Sequence, residues 1–361
     1  MTSTLPGRRA GEAPPPLAEL AGFARLHARA LGLDPVAAGA VLDRLVADGD
    51  EAAWPRVWSR LGERRLAAGR PLEACRCFVL ARFPFPADPD RLRAGEAAVR
   101  AFDSWRLAHG GIDRLDLSLP AGQVAAWTAG VTPGRPVLLV MGGIISVKEQ
   151  WAPFLTAARR LRAGVIVTEM PSVGENTTPY LPGSVELIPE ILDRLGAAVC
   201  AAGVHVVGLS FAGHLALAAA RHDPRIRSVH TVGAPVSAAF TDRDSLPSTT
   251  RATVSHLSGG ADLTALALDR DALAELRVPV RYVASRRDEI IPRREWELLA
   301  ESLVDFRWVE FDDVHGSPAH LTDTRLWLLR GVLEALGDRR ASALGLLLAL
   351  RGKATRTGVS R

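Results

Sequence analysis

Cysteine is scarce, with three in 361 residues. Cys75 and Cys77 are too close along the chain for an easy bridge and Cys200 is remote, which excludes a disulfide scaffold and fits a reducing cytoplasm. Long apolar runs are missing as well. None reaches the roughly 18–20 residues of a membrane-spanning helix, and residues 1–16 are polar and Pro-rich, without the apolar centre of a signal peptide. That stretch reads as a disordered N-terminus. The chain has no G-x-x-x-x-G-K-[ST] phosphate loop, no G-x-G-x-x-G after its first long strand and no paired Cys/His spacing for zinc. No metal or redox cofactor is implied. What remains is ordinary globular usage, 48% hydrophobic and 23% charged, which excludes collagen-like and wholly disordered chains.

The formal net charge of +4 is concentrated at the ends. Arg339, Arg340, Arg351, Lys353, Arg356 and Arg361 against Asp338 leave +5 on residues 338–361, and residues 1–16 carry +1, so 17–337 is about −2. A basic tail on a near-neutral body argues against an extended phosphate-binding face. The tail reads as a frayed, solvated terminus, with an amphipathic anchor over Ala343 to Leu350 as the alternative.

Residues 17–110 read as a helical cap domain. Leu17, Leu20, Phe23, Leu26 and Leu31 recur at helical spacing, as do Val36, Ala40, Leu42, Leu45 and Val46. Arg56–Ala68 and Leu72–Arg82 read as one helical hairpin of tetratricopeptide type, without a fixed period that would indicate an array. After Gly110 the pattern changes. Continuous apolar runs at Val137–Met141, Gly164–Met170, Val204–Leu209, Val229–Val232, Val278–Ala284 and Phe306–Phe311 predict strands buried on both faces. Most are followed by a helical pattern, at about 147–162, 185–201, 212–222, 293–303 and 320–336. Helical crossovers between buried strands predict an α/β, doubly wound, mostly parallel sheet over 111–337. Residues 241–276, which lack a strong strand, read as a lid insertion.

Gly208-Leu209-Ser210-Phe211-Ala212-Gly213 falls directly after a buried strand and directly before a helix, the context a nucleophile elbow needs. Ala212 stands where G-x-S-x-G has glycine, but it is small. A nucleophilic serine requires a base and the base an orienting carboxylate. Asp288 follows one later strand and His315 the last, in the order Ser, acid, His. His320, opening the final helix, competes with His315; Asp312 and Asp313 compete with Asp288. His214 is too local to Ser210, His230 is inside a strand, and His27, His109, His205 and His222 lie outside any strand-end loop. His256 in the lid and Glu175 in the strand-end loop Pro171 to Glu175 are candidate substrate-binding residues. Acyl chemistry also needs donors for a developing oxyanion. The backbone N–H groups of Phe211 and of Gly143 or Ile144 are the candidates, since paired glycines at 142 and 143 allow close approach. Ser146 to Glu149 reads as a capping box, with Ser146 capping, Glu149 reaching back, and Lys148 and Glu149 structural.

Together, Met141-Gly142-Gly143, Lys148-Glu149, Pro171 to Glu175, Gly208 to Gly213, Asp288 to Pro292 and His315 resemble the α/β-hydrolase superfamily, in particular the group with an N-terminal helical domain. That group includes fermentation–respiration-switch-type esterases, dihydroxypseudooxynicotine hydrolase and polyketide-shortening pigment hydrolases. The likeness runs from about Ala53 to Gly337, resting in the helical part on the turn Leu66-Ala67-Ala68-Gly69. It implies Ser210 as nucleophile, His315 as base and Asp288 as orienter. It also implies a serine hydrolase of secondary metabolism, acting on an ester or ketone-activated C–C bond of a polyketide-like molecule. Some relatives in tetronate pathways eliminate acetate from an acetylated intermediate, so a lyase on the same site is one alternative; a non-catalytic binding protein is another. The partner expected is a small-molecule substrate, with no nucleic acid, no membrane span, and a homodimer as the assembly left open.

Overall fold

A computed structural model describes residues 16–360 of the chain; the expectation for the N-terminus lies almost wholly outside these residues. Five α-helices come first: α1 (Leu17–Ala30), α2 (Pro35–Asp48), α3 (Trp54–Ala67), α4 (Pro71–Ala81) and α5 (Pro89–His109). Their starts follow from local chemistry. The Asp34 and Asp88 side chains accept from the N–H groups of Ala37 and Arg91, and Pro35 and Pro89 occupy the first helical positions, where a missing N–H costs nothing. The expected hairpin is α3 with α4.

The strands are β1 (Asp113–Leu119), β2 (Gly122–Ala129), β3 (Val137–Met141), β4 (Gly164–Thr168), β5 (Val204–Leu209), β6 (Ile226–Val232), β7 (Val280–Ser285), β8 (Phe306–Phe311) and β9 (Arg356–Val359). They form one sheet in the order β1-β2-β4-β3-β5-β6-β7-β8-β9, parallel from β4 through β8 and antiparallel at both ends. All five residues of β3 and of β4 are buried, as helices packed on both faces require. The fold is thus the α/β, mostly parallel arrangement expected. No helix among the described residues is long and apolar enough to cross a membrane.

Three elements differ from the sequence reading. The β1–β2 hairpin went unforeseen because β1 alternates, with Leu115, Leu117 and Leu119 separated by Asp116 and Ser118. The C-terminal segment is ordered rather than frayed. A helix, Arg340–Arg351, packs Ala341 and Leu344 on the core, and Arg351 pairs with Asp323 (2.5 Å). The chain then turns at Gly352 and adds β9 to the open edge of β8, where backbone groups accept a partner whatever its side chains. The third is the capping box: Gln150, not Glu149, reaches back to the Val147 N–H (2.7 Å).

Between β6 and β7 the chain forms only helices, chiefly Ser248–Ser258 and Arg270–Ala274. The first meets α1 through Glu19, which accepts from the Thr249 N–H (2.7 Å) and the Ser248 hydroxyl (2.5 Å). The helical layer also shares an apolar core with the sheet, where Phe102 of α5 lies 5.0 Å, centroid to centroid, from Trp127 of β2.

Candidate active site

Ser210 occupies the turn between β5 and the helix Phe211–Ala220, all of whose residues are buried. Its φ of 54° and ψ of −129° are strained for a non-glycine residue, and its N–H donates to the Val232 carbonyl (2.8 Å). The helix starts this tightly because Gly213 carries no side chain: a Cβ there would lie 2.2 Å from Thr231 Oγ1 and 2.6 Å from Ala234 Cβ. Ala212 is tolerated at the expected glycine position, since the closest approach to β6 falls at residue 213.

Asp288 follows β7 and His315 follows β8, and the sheet brings both to Ser210. His315 Nδ1 donates to Asp288, 2.9 Å from Oδ2 and 3.0 Å from Oδ1. Its Nε2 is thereby left to accept from the Ser210 hydroxyl, at 2.9 Å. Asp288 Oδ1 also accepts from the N–H groups of Ile290 and Ile291, which fix its orientation. Burial works to lower the His315 pKa, but the carboxylates of Asp288 and Glu289 outweigh it and hold the imidazole above its ordinary value. Glu289 accepts from the His315 backbone N–H (3.0 Å). The competitors are engaged elsewhere. Asp313 accepts from His320 Nδ1 and from two backbone N–H groups, and Asp312 pairs with Arg287.

Gly233, at the end of β6, was not singled out from the sequence. Its φ is +57°, and a Cβ there would sit 2.8 Å from His315 Cε1 and 3.3 Å from Asp288 Oδ2. The signal was available only as a glycine ending a buried strand. Its meaning depends on β6 lying between β5 and β7.

Gly143, Ile144 and Phe211 all line the space beside Ser210. A Cβ at Gly143 would be 3.0 Å from Ser210 Cβ, so that loop passes directly over the serine. Among the described residues none of the three N–H groups is engaged in a hydrogen bond, and that of Phe211, first in its helix, has no intrahelical acceptor. Arg82 at the end of α4 donates to the Ile145 carbonyl (3.2 Å) and ties the loop to the helical layer.

Beneath this loop lies a buried ionic cluster. Lys148 Nζ is 2.6 Å from Glu175, 3.0 Å from Glu149 and 3.5 Å from Glu169. Glu169 accepts from the backbone N–H groups of Lys148 and Glu175, linking the loops after β3 and β4. Burial pushes the Glu169 carboxyl up to about 7 against the pull of Lys148. Lys148 is structural, as expected. Glu175 differs from expectation: its carboxylate turns to Lys148 and to Arg114 (3.0 Å) and does not line the cavity. His256 also stays out of the lining, because its ring stacks on Phe85 at 4.2 Å.

The cavity above Ser210 measures about 480 Å³, within the range of small-molecule pockets. Its walls are mostly apolar and combine Phe23 and Leu26 of α1, Leu72 and Val79 of α4, Trp151 and Phe154, and Leu328 and Leu329 of the helix Leu321–Ala335. His27 of α1 joins them, its pKa lowered to about 4 by burial and by the nearby His315 and Arg82.

A strained serine after a buried parallel strand, meeting a histidine and an aspartate from later strand ends, defines an α/β-hydrolase fold and site. No family model and no curated protein matches the chain. Solved structures do. One titled AbyA5 wildtype is 42% identical with a TM-score of 0.84, covering 92% of this chain and 99% of that one. A second, titled AbyA5, is 43% identical with a TM-score of 0.78, covering 85% and 96%. The 2,6-dihydroxy-pseudo-oxynicotine hydrolase shares the fold at 19% identity and a TM-score of 0.61, covering 86% and 89%. The chain belongs to the α/β-hydrolase superfamily and is one of its enzymes.

Proposed function

We propose that Ser210, His315 and Asp288 act as nucleophile, base and orienter in hydrolysis of an ester or ketone-activated C–C bond of a largely apolar, polyketide-like small molecule. The observation that carries this reading is His315 held between Asp288 at 2.9 Å and Ser210 at 2.9 Å. His315 Nε2 takes the hydroxyl proton as Ser210 Oγ bonds to the substrate carbonyl carbon. The oxyanion is held by the N–H groups of Phe211 and of Gly143 or Ile144. Collapse expels the leaving group, which takes the proton from His315. Water, deprotonated in turn by His315, then releases the acyl group from Ser210.

In this reading residues 17–110 and the insertion over 241–276 cap a core of 111–337 and exclude bulk water from the cavity. The likeness to AbyA5 extends across the helical layer as well as the core, which supports a substrate class shared with that protein. The three buried, unbridged cysteines are compatible with a reducing cytoplasm.

Turnover of acetylated and β-diketone substrates in oxygen-18 water tests the reaction. Hydrolysis places the label in the released acid and is lost in Ser210→Ala. Acetate released without label, alongside an alkene, would instead assign elimination with Ser210 and His315 as the base pair. No turnover of the panel by the unaltered protein would count against both.

A further inference from the structure

Two arginines are among the residues that line this mostly apolar cavity, Arg76 and Arg325, and neither has a carboxylate partner among the described residues. Arg76 lies on the face of α4 that presents Leu72, Cys75 and Val79 to the cavity, and is partly buried there. Its Nη1 is 3.7 Å from where a Cβ on Gly32 would sit. Arg325, more exposed, donates to the Ala30 carbonyl (3.1 Å). Both therefore flank the same stretch, the end of α1 and the turn that follows it.

A helix C-terminus favours cations, and this accounts for Arg325, which bonds one of its carbonyls. Arg76 lies by the same helix end but, among the described residues, makes no hydrogen bond and no ion pair. Arg76 is only partly covered, and the five donors of its guanidinium are open to acceptors other than protein groups. The carboxylates in the lining are committed elsewhere: Glu149 to Trp127 and Lys148, Glu289 to the His315 N–H. An anionic group on a bound molecule would supply the acceptor that Arg76 lacks in the protein.

We infer that Arg76, with Arg325 beside it, anchors a planar oxyanion, a carboxylate or acidic enolate, on an otherwise apolar substrate. Arg76 is thus a specificity-determining residue. The inference rests on the proposal that this cavity is the substrate site, and it adds that the substrate is an anionic amphiphile. Guanidinium suits such a group because its parallel N–H donors match two oxygens at once.

Calorimetry on the Ser210→Ala protein separates this from the chemistry, since binding is measured without turnover. Monomethyl suberate and dimethyl suberate share a skeleton and differ by one negative charge. The monoester binds about tenfold or more tighter than the diester, the worth of a hydrogen-bonded ion pair. Adding Arg76→Gln removes that preference while the diester still binds. Should the Gln variant misfold, Arg76→Lys, which keeps the charge and loses the fork, lowers the preference without abolishing it. No preference in Ser210→Ala, or a preference that either Arg76 variant leaves unchanged, overturns the inference.

Discussion

The rim of the sheet and the roof above it are held by different forces. Ser210, Asp288 and His315 each follow a strand fixed by parallel backbone pairing on both sides or, for His315, between β7 and β9. Each is further set by backbone N–H groups or a strained turn. The roof shares an apolar core with the sheet and is joined by side-chain contacts between distant segments, among them Glu19 to Ser248 and Thr249, Phe85 to His256, Arg82 to Ile145 and Arg325 to Ala30. On the proposed reading, bond chemistry is therefore set by a scaffold of paired backbone. On the same reading, the choice of substrate falls to the side-chain surfaces of the roof.

The largest expected effect tests the rim. Ser210→Ala and His315→Ala each lower kcat by about 10⁴-fold or more, with the melting temperature little changed. Asp288→Asn reveals the electrostatics of the same relay. His315 must be neutral to act as a base, so kcat/KM falls as pH drops through its pKa, which Asp288 and Glu289 hold above the ordinary imidazole value. Removing the Asp288 charge moves that acid limb to lower pH, measurable in whatever activity remains.

Gly233→Ala comes next. The added methyl meets His315 and Asp288 in a left-handed backbone conformation. About 10–100-fold is lost from kcat as the imidazole is displaced, and about 1 kcal/mol or more of stability is lost from the backbone. A variant as active as the parent would show that the rim yields more easily than its backbone pairing implies.

Lys148→Met separates support from chemistry. It leaves Glu149 and Glu169 buried without their cation, a loss of about 3–5 kcal/mol seen in urea unfolding. Glu19→Gln is the smallest. Weakening the cap on the helix Ser248–Ser258 costs about 1 kcal/mol or less and changes KM more than kcat. A larger effect on kcat than on KM would break the division between rim and roof.

What could be read in the sequence follows the same division. The apolar runs gave away β3 to β8 because strands covered on both faces are mostly apolar. β1 alternates and β9 carries Arg356, Thr357 and Gly358, so neither announces itself. Ser210, Asp288 and His315 were legible because each stands at a fixed offset from a buried strand. Glu175 stands at such an offset too, but Lys148 and Arg114 draw its side chain away. His256 sits in the expected insertion and is taken up by Phe85. Gly233 and Arg76 acquire their importance from neighbours far away in sequence, Gly233 from β5 and β7 and Arg76 from the turn after α1, and no local pattern records such adjacency.

Intact-protein and peptide mass spectrometry after treatment with a fluorophosphonate addresses the central claim most directly. The proposed relay makes Ser210 nucleophilic, so one adduct forms, maps to Ser210 and disappears in His315→Ala. Folded protein that takes up no adduct, or takes it up equally well without His315, would contradict the account.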